Sequence, residues 1–478
     1  MKRAVLVALT AALVAAAPAA AFTPADPLAA DQWYLAQDHA FDAWPTPPPT
    51  LAPVKVAIID SGVDNTLPDF AGRIADGRSF VGGSPYVDTE GHGTFVAGEI
   101  AANLDSTGVV GMAYASQLLV AKVVKPDGSI PLTAESDAIR WAADSGAKVI
   151  NLSLGGLRDP LHPNSDYYSP LEASAVRYAI QKGVVVVAAV GNSDEAPSSP
   201  WNYASYPAAL PHVIGVSALK QNGDVAGFSN RDVVFNDLSA PGVGIFSTFP
   251  LALTEDRPSC TDQGYSDCGG PDYFNAEGTS FAAPQVSAAA AMLFAVDPAL
   301  TSSQVAAILE QSADDVNATN GCSECEVGRD RFSGAGRLDV ARAIAALQGP
   351  LPASDKYEPN DDAGTQATQL WGKTITVSAT LDYYDDPVDV YKIALGPGER
   401  LKAKLVPSWV GAAVNIVLWR PGTIHVTSHT KPWQRLGQTV TAGGFGYRSK
   451  ARGWYYLELK ATQPGSGPYT LTLTKTTP

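Results

Sequence analysis

The chain has 478 residues, of which 45% are apolar and 17% charged, with a net charge of −15. That mixture excludes a disordered chain and a membrane bundle. The acid surplus excludes nucleic acid as a partner, because binding it depends on neutralising phosphates from a basic surface.

In chain order, the N-terminus comes first. Lys2 and Arg3 precede an apolar run that starts at Ala4, and Ala19-Ala20-Ala21 offers a small-residue cleavage site before Phe22. Residues 1–21 are predicted to be a signal peptide. The mature chain is then secreted, extracellular, clear of the membrane and monomeric. A Pro-rich connector, 44–53, leads to a buried strand over 54–59. A helix is expected over 92–104, a strand over 119–124, and a helix over 133–145 opened by a Thr133 capping box. Next come a strand at 149–154, a helix at 171–182, and strands at 184–190 and 213–218. Ala-rich helices follow at 280–296 and 302–312. Strands that are apolar on both faces and alternate with helices imply an α/β fold, a parallel sheet flanked by helices.

The texture changes near Leu347. Residues 347–354 have the composition of a linker. Beyond them apolar residues recur with period two over 375–381, 389–395, 401–407, 414–419, 454–459 and 469–474, which predicts a small all-β sandwich over 355–478. Charge divides at the same place. Residues 355–478 hold 14 basic and 10 acidic side chains, so the acidity belongs to residues 22–354. Four cysteines allow three pairings. Sequence neighbours are expected to join as structural disulfides, Cys260 with Cys268 and Cys322 with Cys325.

Three segments carry the chemistry. In Val56-Ala-Ile-Ile-Asp60-Ser-Gly-Val-Asp64 an Asp ends a buried strand. In Gly91-His92-Gly93-Thr94 a His opens a helix, and in Gly278-Thr-Ser280-Phe-Ala-Ala-Pro284 a Ser opens another. In a parallel sheet all three face one crevice outside the carboxyl ends of the strands. A Ser hydroxyl needs a base to become a nucleophile, and a buried carboxylate fixes the tautomer of that base. His39, His162, His212, His425 and His429 lack such a context and receive no role.

On DSGVD, HGTFVAG, NLSLGG, AAVGN and GTSFAAPQVS, in that order, residues 22–346 resemble the subtilisin-like serine proteases, the subtilase family. The resemblance implies a serine endopeptidase acting on protein or peptide substrates through an acyl-enzyme. It gives Asp60 as the orienting acid, His92 as the base, Ser280 as the nucleophile and Asn192 as the oxyanion-hole amide. Substrate would add as a strand beside Ser153-Leu154-Gly155-Gly156. Ala189 and Gly191 would form the facing wall of the first specificity pocket and Ser205 its base. No charge falls there, so an apolar or broad preference is expected.

The resemblance also implies a structural Ca²⁺ in a loop that interrupts the His helix, Ala102 to Val109. Asp69 and Asp105 would give side-chain oxygens, Asn103, Thr107 and Val109 backbone carbonyls, and Asp26 the N-terminal ligand. Relatives carry an inhibitory pro-domain before the enzyme, whereas here residues 22–59 alone separate Ala21 from Asp60. Folding without an attached chaperone segment is therefore expected. Residues 355–478 resemble the pre-peptidase C-terminal domain of secreted bacterial proteases, on Tyr357-Glu-Pro-Asn-Asp361, Asp389-Val-Tyr-Lys-Ile393 and Gly396-Pro-Gly-Glu399. Asp385, Asp386 and Asp389 read as a solvated loop, with calcium binding as the other reading. The rival from another class is a non-catalytic secreted adhesion or binding protein that uses the β-sandwich.

Overall fold

The computed structural model describes residues 22–250, 252–253, 273–426, 434–439 and 443–477. The predicted signal segment 1–21, the Cys260/Cys268 pair and His429 lie outside the described residues.

The α/β portion is built on seven strands. They are β1 (Lys55–Asp60), β2 (Ile74–Ser79), β3 (Gln117–Lys122), β4 (Val149–Leu152), β5 (Val185–Ala189), β6 (Val213–Leu219) and β7 (Leu238–Pro241). All pair in parallel, in the order β2-β3-β1-β4-β5-β6-β7. The continuous apolar runs are explained by burial on both faces. In β1, Val56 and Ile58 join one core and Ala57 and Ile59 the other; in β5, Val185 and Val187 separate from Val186 and Ala188 in the same way.

Helices α1 (Trp33–Gln37), α2 (His92–Ala101), α3 (Leu132–Asp144), α4 (Pro170–Gln181), α5 (Thr279–Val296), α6 (Ser302–Ser312) and α7 (Val340–Ala346) cover the sheet. Helix α5 is long and apolar enough to cross a membrane, yet 83% of that window is buried in the protein core. A two-stranded ribbon, β8 (Val243–Thr248) with β9 (Tyr273–Glu277), completes this portion.

Two local expectations need correction. The capping box at Thr133 is absent: α3 starts at Leu132, after an extended Pro131 with no side-chain cap. Pro131 sets the boundary, so Thr133 falls inside the first turn. Helix α2 ends at Ala101, three residues early, because the backbone turns extended at Ala102.

Helices α3 and α4 trap two carboxyl groups, Glu135 and Glu172, both nearly fully buried. Burial raises both above the usual carboxylate range; the charge and hydrogen bond of Glu172 raise Glu135 further, while the hydrogen bond from Glu135 partly offsets the rise at Glu172, so Glu135 holds the proton that the pair shares. Raised folded values mean that the protonated pair supports the fold fully below the ordinary Glu range, with support lost as pH rises through the folded values. Glu135→Gln is expected to raise the midpoint of thermal unfolding at pH 8 and leave it unchanged at pH 4. Scanning calorimetry at the two pH values decides; an equal shift at both would refute the shared proton.

The C-terminal portion has β10 (Thr368–Leu370), β11 (Thr374–Asp382), β12 (Val388–Leu395), β13 (Arg400–Pro407), β14 (Val414–Trp419), β15 (Arg435–Thr439), β16 (Gly444–Arg448), β17 (Gly453–Ala461) and β18 (Ser466–Thr476). A five-stranded sheet, β10-β12-β17-β14-β15, faces a four-stranded one, β11-β18-β13-β16. The inward residues of both form one core, including Tyr391, Tyr455, Tyr469 and Leu471. Period-two alternation is visible in β13, buried at Leu401, Ala403 and Leu405 and exposed between them. Cys322 and Cys325 are joined as expected.

The two portions touch. His212, given no role in the sequence, is a buried-side ion-pair partner: its Nε2 lies 3.0 Å from Asp361 and 3.2 Å from Glu358 of the C-terminal portion. The Arg329 guanidinium sits 4.2 Å above the Tyr384 ring. Asp386 and Asp389 are buried rather than solvated.

Candidate active site

Asp60 is the last residue of β1, and β1 and β4 are neighbours at the point where the strand order reverses. A crevice opens there beyond the strand ends. Ser153 and Leu154 follow β4, Asn192 follows β5, His92 opens α2 and Ser280 lies in the first turn of α5. One cleft of about 240 Å³ is lined by Asp60, His92, Asn192 and Ser280 together.

The buried Asp60 carboxylate meets His92 Nδ1 with both oxygens, at 2.9 and 3.0 Å. That contact fixes the imidazole with Nδ1–H toward the acid and Nε2 free for other work. Burial pulls the His92 pKa down, but the charge and hydrogen bond of Asp60, followed by the charges of Asp88 and Glu90, outweigh it and leave the value raised. Gly93 allows this approach, since a Cβ there would lie 2.2 Å from the Gly62 carbonyl oxygen.

Two residues of the local frame were missed in the sequence. Asp88 holds the start of α2, accepting from the Gly91 and Thr94 N–H groups at 2.8 and 2.9 Å and from Thr94 Oγ1. An acid four residues ahead of the His was the available signal. Glu90 lines the cleft beside His92. Burial first, then the Asp60 and Asp88 charges, raises its pKa.

The start of α5 is tied to the segment after β4. Ser280 Oγ donates to the Ser153 carbonyl at 3.1 Å, and Ser153 Oγ donates to the Ser280 carbonyl at 2.6 Å. Pro284 explains the second bond. It sits inside α5 and has no N–H, so the Ser280 carbonyl loses its helical donor and takes a hydroxyl instead. The Ser280 proton is thus engaged with Ser153 in this structure, not with the imidazole.

Asn192 is oriented by its acceptor end. Its Oδ1 receives the Thr279 N–H at 3.1 Å and the Thr279 hydroxyl at 2.9 Å. The amide NH₂ is left as the group available to the cleft, where the sequence reading placed a donor.

Ser153, Leu154, Gly155, Ala189, Gly191 and Ser205 all line the cleft. Gly156 stands apart from them: it exchanges backbone hydrogen bonds with Tyr206, at 2.8 and 2.9 Å. Gly155 is obligatory beside that bridge, because a Cβ would meet the Tyr206 carbonyl oxygen at 2.6 Å. Gly128 and Ile130 also line the cleft, which the sequence did not reveal.

The loop assigned to calcium brings its acids together. Asp26 Oδ1 accepts from the N–H groups of Asp105 and Ser106, both at 3.0 Å. Its Oδ2 is buried and accepts from no described group. Asp69 accepts from Tyr273 at 3.0 Å and from the Val109 N–H at 3.3 Å, and Asp105 accepts from Thr107. Burial first, with Asp105 adding, raises Asp26 and Asp69. The Asn103 side chain is occupied with Arg73, Pro68 and Ala71. The orphaned Asp26 oxygen and the hard-oxygen donor set fit a cation. Among the described residues, however, the acid groups whose ligand atoms converge within 4.8 Å lie at the junction of the two portions.

A buried Asp–His pair sharing a cleft with a helix-start Ser and an amide donor on a parallel sheet defines a serine-hydrolase class of α/β protein. Comparison with known proteins narrows that class. The subtilase family profile matches residues 52–336. The chain is 36% identical over 267 residues to Subtilisin DY from Bacillus licheniformis, covering 55% of this chain and 84% of that one. It is 35% identical over 302 residues to Thermitase from Thermoactinomyces vulgaris, covering 62% and 94%. Among solved structures, Sphericase aligns with a TM-score of 0.51 and 30% identity over 64% of this chain and 97% of that one. A protease from Pseudoalteromonas arctica PAMC 21717 aligns with a TM-score of 0.54 and 25% identity over 68% and 99%. The chain belongs to the subtilase family. It is therefore a serine endopeptidase, a hydrolase of peptide bonds.

Proposed function

We propose that the chain is a secreted endopeptidase that cuts proteins through an acyl-enzyme on Ser280. The observation that carries this reading is the pairing of His92 Nδ1 with both oxygens of Asp60 inside the cleft that also holds Ser280 and Asn192. On substrate binding, Ser280 Oγ leaves the Ser153 carbonyl and turns to His92 Nε2, which takes its proton as Oγ attacks the scissile carbonyl. Asn192 Nδ2–H and the Ser280 N–H receive the oxyanion. His92 then protonates the leaving amine, and water attacks the acyl-enzyme by the reverse proton path.

The peptide adds as a strand between residues 153–155 and Gly128–Ile130. The pocket formed by Ala189, Gly191 and Ser205 carries no charge, so its occupant is apolar or varied. Glu90, on the His92 side, favours a basic neighbour in the substrate. Residues 22–346 form the peptidase domain, 347–354 the linker and 355–478 a β-domain of the pre-peptidase C-terminal type. Asp26, Asp69 and Asp105, with the carbonyls of Asn103, Thr107 and Val109, would hold Ca²⁺ and brace the end of α2.

The raised His92 value places the acid limb of kcat/KM above the ordinary imidazole value of about 6.5. Glu90→Gln is expected to move that limb toward lower pH and to weaken selection for Lys or Arg. A pH–rate profile on a neutral peptide, beside a peptide-library cleavage profile, checks both; an unmoved limb would remove Glu90 from the site. The reading itself is tested with casein and a serine-directed phosphonylating reagent. Hydrolysis should stop as one adduct forms, and peptide mapping should find it on Ser280. An adduct on any other residue defeats it.

A further inference from the structure

The junction between the two portions holds more buried carboxylate than its protein partners neutralise. Asp355, Glu358, Asp386 and Asp389 each direct one oxygen into a common space, all within 4.8 Å of one another. Donors on opposite sides of a Ca²⁺ with bonds of about 2.3–2.6 Å lie about 4.6–5.2 Å apart, so the set already has the span of a coordination shell. A second observation is independent of the clustering. Asp389 is fully buried and Asp386 is 7% exposed. Yet Oδ1 of each, and Oε1 of Glu358, accept a hydrogen bond from no described group. Buried carboxylate oxygens without donors are rare because their desolvation is unrecovered.

The remaining donors are few. Asp389 Oδ2 takes the Tyr469 hydroxyl, and Asp355 takes the Tyr357 and Thr380 N–H groups. Burial first, then the neighbouring carboxylates, drives Asp355 up to about 6 and Asp386 and Asp389 well above the usual range. His212, from the turn before β6 in the protease portion, brings a cationic side chain to the edge of the cluster. Glu358 and Asp386 belong both to the four-carboxylate set and to the set that includes His212. A cavity of about 370 Å³ at the same junction, lined by His212 and Glu310 on one side and Asp355, Asp382 and Asp386 on the other, gives an ion and its waters a way in.

We propose that the four carboxylates bind a divalent cation of the hard, oxygen-seeking class, Ca²⁺, and that the bound ion fastens the C-terminal β-domain to the protease domain. The ion holds Glu358 in place for His212, so docking of the domains depends on the cation. The site is separate from the loop of Asp26, Asp69 and Asp105, and it stands whether or not that loop binds an ion.

The test uses the full chain carrying Ser280→Ala to prevent self-digestion, stripped of metal and dialysed against radioactive Ca²⁺. Adding Asp386→Asn with Asp389→Asn should remove one bound Ca²⁺ per chain. Asp105→Asn, tested separately, should leave that ion in place. Calorimetry of the parent should show one joint unfolding transition in Ca²⁺ and two in EDTA, and His212→Gln should give two in Ca²⁺ with its ion count unchanged. An unchanged count in the double variant overturns the site. A parent transition that EDTA does not split overturns the fastening. Should circular dichroism show the double variant unfolded, Glu358→Gln is scored by the same count.

Discussion

Ser280→Ala is expected to lower kcat for peptide hydrolysis by about 10⁶-fold, the order that loss of the nucleophile costs in an Asp–His–Ser enzyme. The fold should survive. The hydroxyl removed makes one hydrogen bond, to the Ser153 carbonyl, while the Ser153 hydroxyl still satisfies the Ser280 carbonyl freed by Pro284. The thermal midpoint should therefore stay close to that of the parent, and KM for a peptide should change little, because the cleft walls are untouched. Steady-state kinetics with a fluorogenic peptide, beside calorimetry, measure both. A residual rate within 100-fold of the parent would move the nucleophile elsewhere.

Asn192→Leu should reduce kcat by about 10²–10³-fold with KM almost unchanged, the pattern for a donor that acts on charge developing in the transition state. The orientation of the amide makes this prediction specific. Thr279 holds Oδ1 through both its N–H and its hydroxyl, so the NH₂ is the end that can reach a substrate oxygen. Leu keeps the volume and loses the donor. It also leaves the Thr279 N–H and hydroxyl without their acceptor, so a modest loss of stability is expected, and calorimetry beside the kinetics separates that loss from the loss of the donor. A fall in kcat/KM carried by KM alone would make Asn192 a binding residue.

The α/β core was legible in the sequence because burial on both faces writes continuous apolar runs, as in Val56 to Ile59 and Val185 to Ala189. Elements without that mark escaped. Strand β2 (IADGRS) is a half-exposed sheet edge, β7 (LSAP) is four residues long, and α7 (VARAIAA) is seven. Their positions come from neighbours, with β2 pairing along β3 and α7 capped by Asp339. The site residues were legible for another reason: a few residue types at fixed local spacing announce a strand end or a helix start. Asp88 was missed although its partners Gly91 and Thr94 lie within six positions, whereas Glu90 was not legible, because the cleft it lines with Ser153, Asn192 and Ser280 exists only after folding.

By itself the sequence determined the sheet and helix pattern, the subtilase motifs and the place where charge and texture change. Those depend on neighbours within a few positions, through burial period and turn chemistry. Only the tertiary structure decided that Asp60, His92, Asn192 and Ser280 share one cleft, that Ser153 replaces the donor Pro284 removes, and that His212 faces Glu358 and Asp361 across two portions of the chain. Such contacts join residues 32 to 149 positions apart. Charge and hydrogen bonding act through space over a few ångströms, and chain packing sets those distances.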